Sequence, residues 1–398
     1  MRDRPSVLAV VQRYGDVSGG AEAHARELVA HLQPHADLAV ATTTAADYWT
    51  WANVYTAGID AVDGVPVHRF PVESGRSRDF RLREHRAFQK VHALTDEDAF
   101  VRAQGPVAPE LLEHLRRYGR DFDAVLFFTY IYYPTAYGLP LVPERAVLVP
   151  TAHDEPALRL SVYKRLFHAP RAIAFNSAEE RQLVHRTFAN ERIPGEVVGV
   201  GVDVPADRNA ERFRARFGIE GPYLLYLGRI VESKGCGTLF DHFLRWQRTS
   251  GATPATLVLA GRGDPEMPVP RDPRIRHVGG LSDAQKFDGL AGATALVMPS
   301  LLESLSMVTL EAWAAGRPVI VDRRSPVLSS MVARAGAGLA FGSWMEFAEC
   351  AELLIADPRI GDRLGAAGQR FVERAYTGPV VVEKYRDLFA EVAARNSG

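Results

Sequence analysis

The stretch Met298-Pro-Ser-Leu-Leu-Glu-Ser-Leu-Ser-Met-Val-Thr-Leu-Glu-Ala-Trp-Ala-Ala-Gly-Arg-Pro-Val-Ile320 decides how this chain folds. It overlaps the end of an apolar run, residues 295–298, that predicts a buried strand. A polar loop with Glu303 follows, and a helix is predicted from about Val308 until Gly316 ends it. A second apolar strand comes next. This order of strand, loop, helix and strand predicts one step of a parallel α/β sheet.

Two carboxylates of this stretch, Glu303 and Glu311, are eight residues apart, one in the loop and one in the helix. Backbone amides of a loop and of a helix N-terminus can hold a phosphate group, and carboxylates beside them accept hydrogen bonds from sugar hydroxyls. A lone glutamate in a helix is more often a solvated surface residue. At this point both interpretations of Glu311 stay open.

The composition limits the classes of protein to consider. With 398 residues the chain is long enough for two domains, and its 47% hydrophobic and 24% charged residues are typical of a globular protein. A net charge of −1 gives no indication of nucleic-acid binding. The two cysteines cannot build a disulfide framework, and no run of apolar residues reaches the length of a membrane span. We therefore expect a cytoplasmic protein.

The pattern of strands and helices predicts two α/β halves. The first half opens with an apolar run at residues 7–11, a loop with Gly19 and Gly20, and an amphipathic helix. The second half repeats this plan from residue 223, after a segment at 199–205 whose glycines and proline are typical of a linker. The last helix is predicted at about residues 379–394 and is amphipathic.

Anionic ligands are suggested by the loop that follows the first strand of the second half. Gly228 lets a ligand approach the backbone closely, and Arg229 and Lys234 place two cations within one loop, where they can hold a diphosphate. Amides of residues 303–306 can contact the same group, and Gly19-Gly20 offers a similar glycine loop in the first half. Each of these signals is weak by itself.

Three further features have two interpretations each. His153 directly follows a predicted strand, where it is either a packed residue or a catalytic or substrate-binding one. The tyrosine-rich segment 129–137 and the Trp49/Trp51 segment belong either to the core or to an acceptor site. Residues 69–90 carry seven basic and three acidic side chains, which form either a solvated helix face or a patch for an anionic acceptor or a membrane surface.

The motifs together closely resemble those of the group 1 glycosyltransferases, also called family GT4. The resemblance rests on Gly228-Arg-Ile-Val-Glu-Ser-Lys-Gly235, on the Glu303 to Glu311 stretch, on Ser18-Gly-Gly-Ala-Glu22 and on Thr151-Ala-His-Asp154. It implies a GT-B fold, with two Rossmann-like doubly wound domains facing across a cleft. We expect an N-terminal acceptor domain at 1–202, a nucleotide-sugar domain at 203–375 and a returning helix at 376–398.

The resemblance also implies roles for individual residues. Arg229 and Lys234 hold the diphosphate and stabilise the leaving group, Glu303 contacts the sugar and Glu311 the ribose, and His153 lines the reaction centre. The resemblance implies that further residues bind the donor, at its phosphate, its base or its sugar: Gly19, Gly20, Gly228, Arg262, Val278, Gly279, Ser304, Leu305 and Ser306. One departure is that Ser304-Leu305-Ser306 stands where members of the family often have Gly-Phe-Gly.

We therefore expect a retaining glycosyltransferase that needs no metal and no cofactor, uses a nucleotide-sugar donor with UDP-sugars favoured, and acts on a hydroxyl acceptor. A nucleotide-sugar 2-epimerase of the same fold is one alternative, and a non-catalytic nucleotide-sugar binding protein is another. Peripheral contact with the inner face of a membrane is possible through residues 69–90. A dehydrogenase is disfavoured because no dinucleotide-binding fingerprint is present.

Overall fold

A computed structural model of the chain describes residues 4–17 and 19–396, so Ser18 of the glycine loop lies outside the described residues. The chain forms two units. Residues up to Gly201, together with those from Gly378 onward, make up the first unit, and Val202–Thr377 make up the second. The sequence-based boundaries after residues 202 and 375 lie within two residues of these divisions.

The first unit is built on a sheet whose described strands follow the order β3-β4-β2-β1-β5-β6-β7-β8. Neighbouring strands are parallel except for β3 and β4, which form an antiparallel pair. The strands are β1 Ser6–Val10, β2 Asp37–Thr43, β3 Gly58–Val62, β4 Val65–Phe70, β5 Ala124–Phe128, β6 Ala146–Val149, β7 Ala172–Phe175 and β8 Gly195–Val197.

Helices cover both faces of this sheet, so its central strands are buried on both sides and appear in the sequence as continuous apolar runs. The helices that precede the second unit are α1 Gly20–Leu32, α2 Phe80–Ala87, α3 Leu94–Gln104, α4 Pro109–Tyr118, α5 Tyr133–Gly138, α6 Ser161–His168 and α7 Ala178–Phe188. Short 3-10 turns occur at Gly119–Asp121, Leu139–Leu141 and Pro156–Arg159.

The second unit is built on a parallel sheet with the strand order β11-β10-β9-β12-β13-β14 among its described residues. Its strands are β9 Tyr223–Leu227, β10 Thr256–Ala260, β11 Ile275–Gly279, β12 Ala295–Met298, β13 Val319–Asp322 and β14 Gly338–Phe341. Its helices are α8 Ala210–Phe217, α9 Cys236–Arg248, α10 Asp283–Gly292, α11 Met307–Ala314, α12 Pro326–Ala335, α13 Trp344–Ala356 and α14 Pro358–Ala375, with a 3-10 turn at Glu232–Lys234.

The strand order reverses once within each sheet, and that position locates the candidate site. In the second unit the reversal lies between β9 and β12, and in the first unit between β1 and β5. Open α/β sheets bind ligands at the carboxyl ends of the strands that flank such a reversal, because the loops diverge there and leave a crevice. The loops that follow β9 and β12 are residues 228–235 and 299–306, the two segments that the sequence singled out.

The last helix, α15 Gly378–Asn396, belongs to the first unit. Its buried side chains share one hydrophobic core with α1 and with strands β1, β5, β6 and β7: Val381, Val382, Tyr385, Leu388, Phe389 and Val392. The chain therefore returns to the unit in which it began.

The structure resolves two of the open interpretations in the first unit toward the core. Tyr130, Tyr132 and Tyr133 are buried, and the segment that the sequence suggested was a loop contains α5. Trp51 is fully buried, and its indole N–H donates to the carbonyl of Gln104, whereas Trp49 is exposed.

The arginine-rich segment 69–90 divides into two environments. Arg69 lies on β4, is buried, and donates from Nη1 to the carbonyl oxygen of Tyr14 at 2.8 Å. Arg81 and Arg86 lie on α2 and are exposed. The interpretation as a solvated helix face therefore fits α2 and does not fit Arg69.

Candidate active site

Three loops of the second unit are held together by backbone hydrogen bonds. The amide of Gly228 donates to Ala260 O at 3.0 Å, and that of Ile230 to Arg262 O at 2.9 Å. A Cβ atom on Gly261, which has φ of 145°, would lie 1.9 Å from the carbonyl oxygen of Gly228. This close approach requires glycine at position 261. It fixes the loop after β9, with Gly228 and Arg229, against the loop after β10.

The end of β11 joins the same group of loops. The amide of Gly261 donates to Gly279 O at 2.8 Å, and the ring of His277 lies 2.9 Å from Gly261 O through Nε2. Val278 and Gly279 are half-buried, while the Arg262 side chain is exposed. The predicted base-contacting positions therefore lie beside the predicted phosphate loop.

The loop after β9 also touches the segment that follows β12. A Cβ atom on Gly235, which has φ of 73°, would lie 2.3 Å from the carbonyl oxygen of Pro299. Gly235 precedes α9, and its left-handed backbone turns the chain into that helix. The hydroxyl of Tyr226 donates to the carbonyl of Arg229 at 2.7 Å and holds the loop from the strand side. Lys234 is thereby directed toward the 299–306 segment.

Lys234 and Glu303 form an ion pair. Lys234 Nζ lies 2.7 Å from Glu303 Oε1, and the two side chains are 28% and 10% exposed. The family resemblance assigned Lys234 to the phosphate and Glu303 to the sugar, and the structure brings the two side chains into contact. A cation and a carboxylate at one point allow a ligand to be held by its anionic end and by its hydroxyls together.

The segment Ser304-Leu305-Ser306 is buried, and its last serine caps a helix. Ser306 is the N-cap of α11, and its hydroxyl accepts a hydrogen bond from the amide of Thr309. A serine in this place satisfies an amide that glycine leaves open to solvent or to a ligand. The cap therefore gives a structural reason for Ser306 at a position where members of the family often have glycine.

Glu311 is not a solvated helical residue. It is 8% exposed, and its Oε1 lies 2.7 Å from Nζ of Lys286 on α10. Burial by itself lowers the pKa of Lys286, but the carboxylates of Glu311 and Asp283 outweigh burial and raise this pKa above its ordinary value. Lys286 therefore carries a proton and a positive charge beside Glu311. Sequence reasoning missed Lys286, because a lysine in the first turns of an amphipathic helix has the pattern of an exposed residue.

In the first unit the glycine loop rests on a buried ion pair that sequence reasoning also missed. Glu22 Oε1 accepts hydrogen bonds from Arg13 Nη2 at 2.6 Å and from Gln12 Nε2 at 2.8 Å. Gly19 has φ of 156°, a backbone conformation that residues with a side chain rarely adopt, so glycine is favoured there. Gly20 is the first residue of α1, is exposed, and has open space around the position of a Cβ.

His153 is 30% exposed at the carboxyl end of the first unit's sheet, two residues after Thr151, which adopts a positive φ of 49°. Its Nδ1 lies 3.7 Å from Glu155 Oε1, which accepts a hydrogen bond from the hydroxyl of Tyr130. The preceding amide, that of Ala152, donates to the buried carboxylate of Glu180. The predicted site residues thus form two sets, with Gly19, Gly20 and His153 in the first unit and the others in the second.

Comparison with known proteins found a family match that lies within the second unit. Residues 221–357 match the family model described as "Glycosyl transferases group 1". This match confirms the resemblance to the group 1 glycosyltransferases. The narrower assignment to GT4 stays a prediction.

Curated relatives of this family are similar over part of their length. A lipopolysaccharide core biosynthesis glycosyltransferase from Rhizobium meliloti is 27% identical over 216 residues, which are 52% of this chain and 57% of that protein. A D-inositol 3-phosphate glycosyltransferase from Jonesia denitrificans is 26% identical over 253 residues, 58% of this chain and 59% of that protein. The aligned segments therefore span less than two thirds of either relative.

Solved structures show the same fold over nearly the whole chain. Sucrose-phosphate synthase from Thermosynechococcus elongatus has a TM-score of 0.72 at 17% identity and covers 98% of this chain and 100% of its own. The Anabaena protein HepE, solved in complex with UDP-glucose, has a TM-score of 0.69 at 15% identity, with 97% and 100% covered. These likenesses confirm the predicted GT-B fold class.

Metal-binding clusters and membrane-spanning helices are both absent from the described part of the chain. In it, no three His, Cys, Asp or Glu side chains are grouped so that they could hold a metal ion. Among residues 4–17 and 19–396, no helix is both long and apolar enough to cross a membrane. Metal independence and location in the cell remain predictions.

Proposed function

We propose that this protein is a glycosyltransferase that moves a sugar from a nucleoside-diphosphate sugar to a hydroxyl acceptor. The observation that carries the proposal is the meeting of Lys234 and Glu303 at 2.7 Å between the loops that follow β9 and β12. A ligand in that crevice meets cations for a diphosphate and carboxylates for hydroxyl groups. A nucleoside-diphosphate sugar carries both kinds of group in one molecule.

The second unit offers contacts for each part of such a donor. Arg229 and Lys234 hold the diphosphate and stabilise the negative charge that grows on it as the bond to the sugar breaks. Glu303 accepts hydrogen bonds from hydroxyls of the sugar, and Glu311 from those of the ribose. The backbone around Val278 and Gly279 contacts the base, with Arg262 beside it. The family resemblance assigns roles to two first-unit residues as well, Gly20 to the phosphate and His153 to the reaction centre.

UDP-sugars are the favoured donors in this proposal. Support comes from proteins with the same fold, since HepE was solved with UDP-glucose and the trehalose-6-phosphate protein from E. coli with UDP-2-fluoro glucose. We further propose that the transfer retains the configuration of the sugar and needs no metal, because the cationic side chains Arg229 and Lys234 can supply the charge stabilisation that a metal ion would give. We also propose cytoplasmic location.

A donor screen tests the proposal. The protein is heated with UDP, GDP, dTDP and ADP and with their sugars, and the midpoint of unfolding is followed. A ligand at about 100 times its dissociation constant stabilises the folded state by roughly 2.7 kcal/mol, a shift that is easily measured. We expect stabilisation by UDP and UDP-sugars. If none of these nucleotides shifts the midpoint, the donor-site assignment is wrong.

Product analysis distinguishes the transferase from its two alternatives. A transferase releases the nucleoside diphosphate slowly even without acceptor, because water replaces the acceptor hydroxyl. A 2-epimerase instead yields a sugar with inverted configuration at C2, and a binding protein gives no product. We expect slow release of UDP from the best UDP-sugar, with loss of that release in the Glu303→Ala variant.

A further inference from the structure

Lys286 lies beside the donor site, and neither the sequence motifs nor the family resemblance assigned it a role. Its Nζ is 2.7 Å from Glu311 Oε1 and 3.0 Å from Asp283 Oδ1. The Lys286 and Glu311 side chains are 19% and 11% exposed, whereas that of Asp283 is 70% exposed. The contact with Glu311 is therefore shielded from water, and the contact with Asp283 lies at the surface.

The backbone around Lys286 is fixed by local interactions. Ser282 and Gln285 form a capping box at the start of α10, and the amide of Lys286 donates to Ser282 O at 2.8 Å. This turn follows directly after the end of β11, where Val278 and Gly279 lie. The lysine thus connects the predicted base-contacting strand end with the carboxylate on α11.

A shielded ion pair of this kind is not explained by stability alone. Removing two charges from water costs about as much free energy as their attraction returns, so apolar side chains of similar size often serve stability equally well. A fixed ion pair does, however, determine the orientation of a carboxylate and keep it ionised. Both properties matter where the carboxylate must accept hydrogen bonds from a ligand.

We propose that Lys286 is a positioning residue that holds the Glu311 carboxylate toward the nucleoside and thereby makes the site select ribonucleotides over 2′-deoxyribonucleotides. This inference rests on the proposed function, in which Glu311 contacts the ribose. A carboxylate offers about four lone-pair directions, and Lys286 occupies one of them. The hydroxyls of a ribose can use others, and a 2′-deoxyribose has one hydroxyl fewer to donate.

Binding of UDP and of 2′-deoxy-UDP, measured by titration calorimetry, tests this role. A hydrogen bond to a charged group changes affinity by about tenfold or more, so we expect wild-type protein to prefer UDP by at least that factor. In the Lys286→Met variant, which keeps the length of the side chain without its charge, UDP should bind about tenfold more weakly. The affinity for 2′-deoxy-UDP should change by less than about threefold.

Two further variants separate positioning from a purely structural effect. Asp283→Asn removes the surface partner of Lys286 and should leave both affinities unchanged. Lys286→Arg keeps a cation in contact with Glu311 and should restore most of the preference for UDP. If Lys286→Met does not fold, Lys286→Gln takes its place. The preference for UDP over 2′-deoxy-UDP should then be smaller in Lys286→Gln than in Lys286→Arg.

The outcomes are distinct. A wild-type protein that binds UDP and 2′-deoxy-UDP equally well overturns the role of Lys286 but leaves the proposed function in place. Equal weakening of both nucleotides by Lys286→Met overturns it as well, since that result indicates a structural effect. A wild-type protein that binds neither nucleotide contradicts the proposed UDP donor and this inference together.

Discussion

Lys234 and Glu303 neutralise each other's charge, so a substitution of either residue leaves the other charge without its partner. Removing the lysine leaves a carboxylate that is 10% exposed and has lost its cation, so folding and ligand binding suffer together. A single substitution therefore cannot separate a structural role from a binding role. Exchanging the two residues can, because the pair is kept while the charges change places.

We predict that Lys234→Met lowers the free energy of unfolding by about 1–3 kcal/mol and weakens UDP binding by tenfold or more. The exchanged variant, Lys234→Glu with Glu303→Lys, should recover at least half of the lost stability but none of the binding. Urea unfolding and calorimetry measure the two quantities. Recovery of UDP binding by the exchanged pair would show that Lys234 acts on stability alone.

The buried carboxylate of Glu180 holds the backbone next to His153 in the first unit. It is buried, and it accepts hydrogen bonds from the amide of Ala152, next to His153, and from the amide of Asn176. Burial raises the pKa of Glu180 to about 8, although the two amides act in the opposite direction. The pKa of Glu180 in the unfolded chain is about 4.5. Between about pH 4.5 and pH 8, Glu180 therefore carries a proton in the folded state and not in the unfolded state.

The stabilisation that comes from this proton is complete below about pH 4.5 and is lost as the pH rises to about 8. Glu180→Gln cannot titrate, and its amide group leaves one backbone N–H without an acceptor, so we expect it to be less stable than wild type at pH 5. The difference between wild type and Glu180→Gln in the midpoint temperature of unfolding should be at least about 2 °C smaller at pH 9 than at pH 5. A difference that stays constant or grows with pH would mean that Glu180 is ionised in the folded protein.

At the scale of elements, the N-cap of α11 gives Ser306 a structural role in the loop after β12. The hydroxyl of Ser306 accepts a hydrogen bond from the amide of Thr309 in the first helical turn. Alanine cannot accept that hydrogen bond. Glycine cannot either, but it is favoured at an N-cap because it leaves the amides accessible.

We predict that Ser306→Ala lowers the free energy of unfolding by about 1 kcal/mol and that Ser306→Gly lowers it by only a few tenths. UDP binding should be unaffected or stronger in the glycine variant, since the freed amides can face the phosphate. Thermal unfolding and calorimetry of the two variants provide the comparison. A loss of binding in Ser306→Gly would indicate that the serine hydroxyl itself contacts the donor.

The contact between the loops after β9 and β10 depends on one glycine. A side chain at position 261 would collide with the backbone of Gly228, which cannot move without displacing Arg229. We predict that Gly261→Ala costs more than about 2 kcal/mol and abolishes UDP binding. Gly280→Ala is the matched control, because a Cβ there meets no atom within 4 Å. Equal behaviour of the two variants would refute the close packing of these loops.

Particular elements show why much of the fold followed from the sequence and part of it did not. The central strands were predictable because both faces are covered, and β12 has the predicted bounds 295–298. Edge strand β3 was missed because it is exposed and not apolar, although Asp63-Gly64, with φ of 51° and 79°, is a hairpin signal. The partnership of Lys286 with Glu311 spans 25 residues, and no local pattern encodes such a distance.

For the whole molecule, each unit has a hydrophobic core and an open sheet edge of its own. The first unit is completed by α15, whose buried side chains lie beside those of β1, β5, β6 and β7, and the second unit carries the Lys–Glu pairs. The family resemblance assigns the donor to the second unit and the acceptor to the first. The central claim is thus a transfer reaction that begins with a nucleotide-sugar bound to the second unit.

Time-resolved proton NMR of the wild-type protein with UDP-, GDP- and ADP-sugars tests that claim most directly. The account predicts slow release of one nucleoside diphosphate, best from a UDP-sugar, and a first sugar product that keeps the anomeric configuration of the donor. Lys234→Met should slow this release by at least about tenfold, since the leaving group loses a charged contact. No release from any donor, or a product altered at C2 with its anomeric bond intact, would contradict the account.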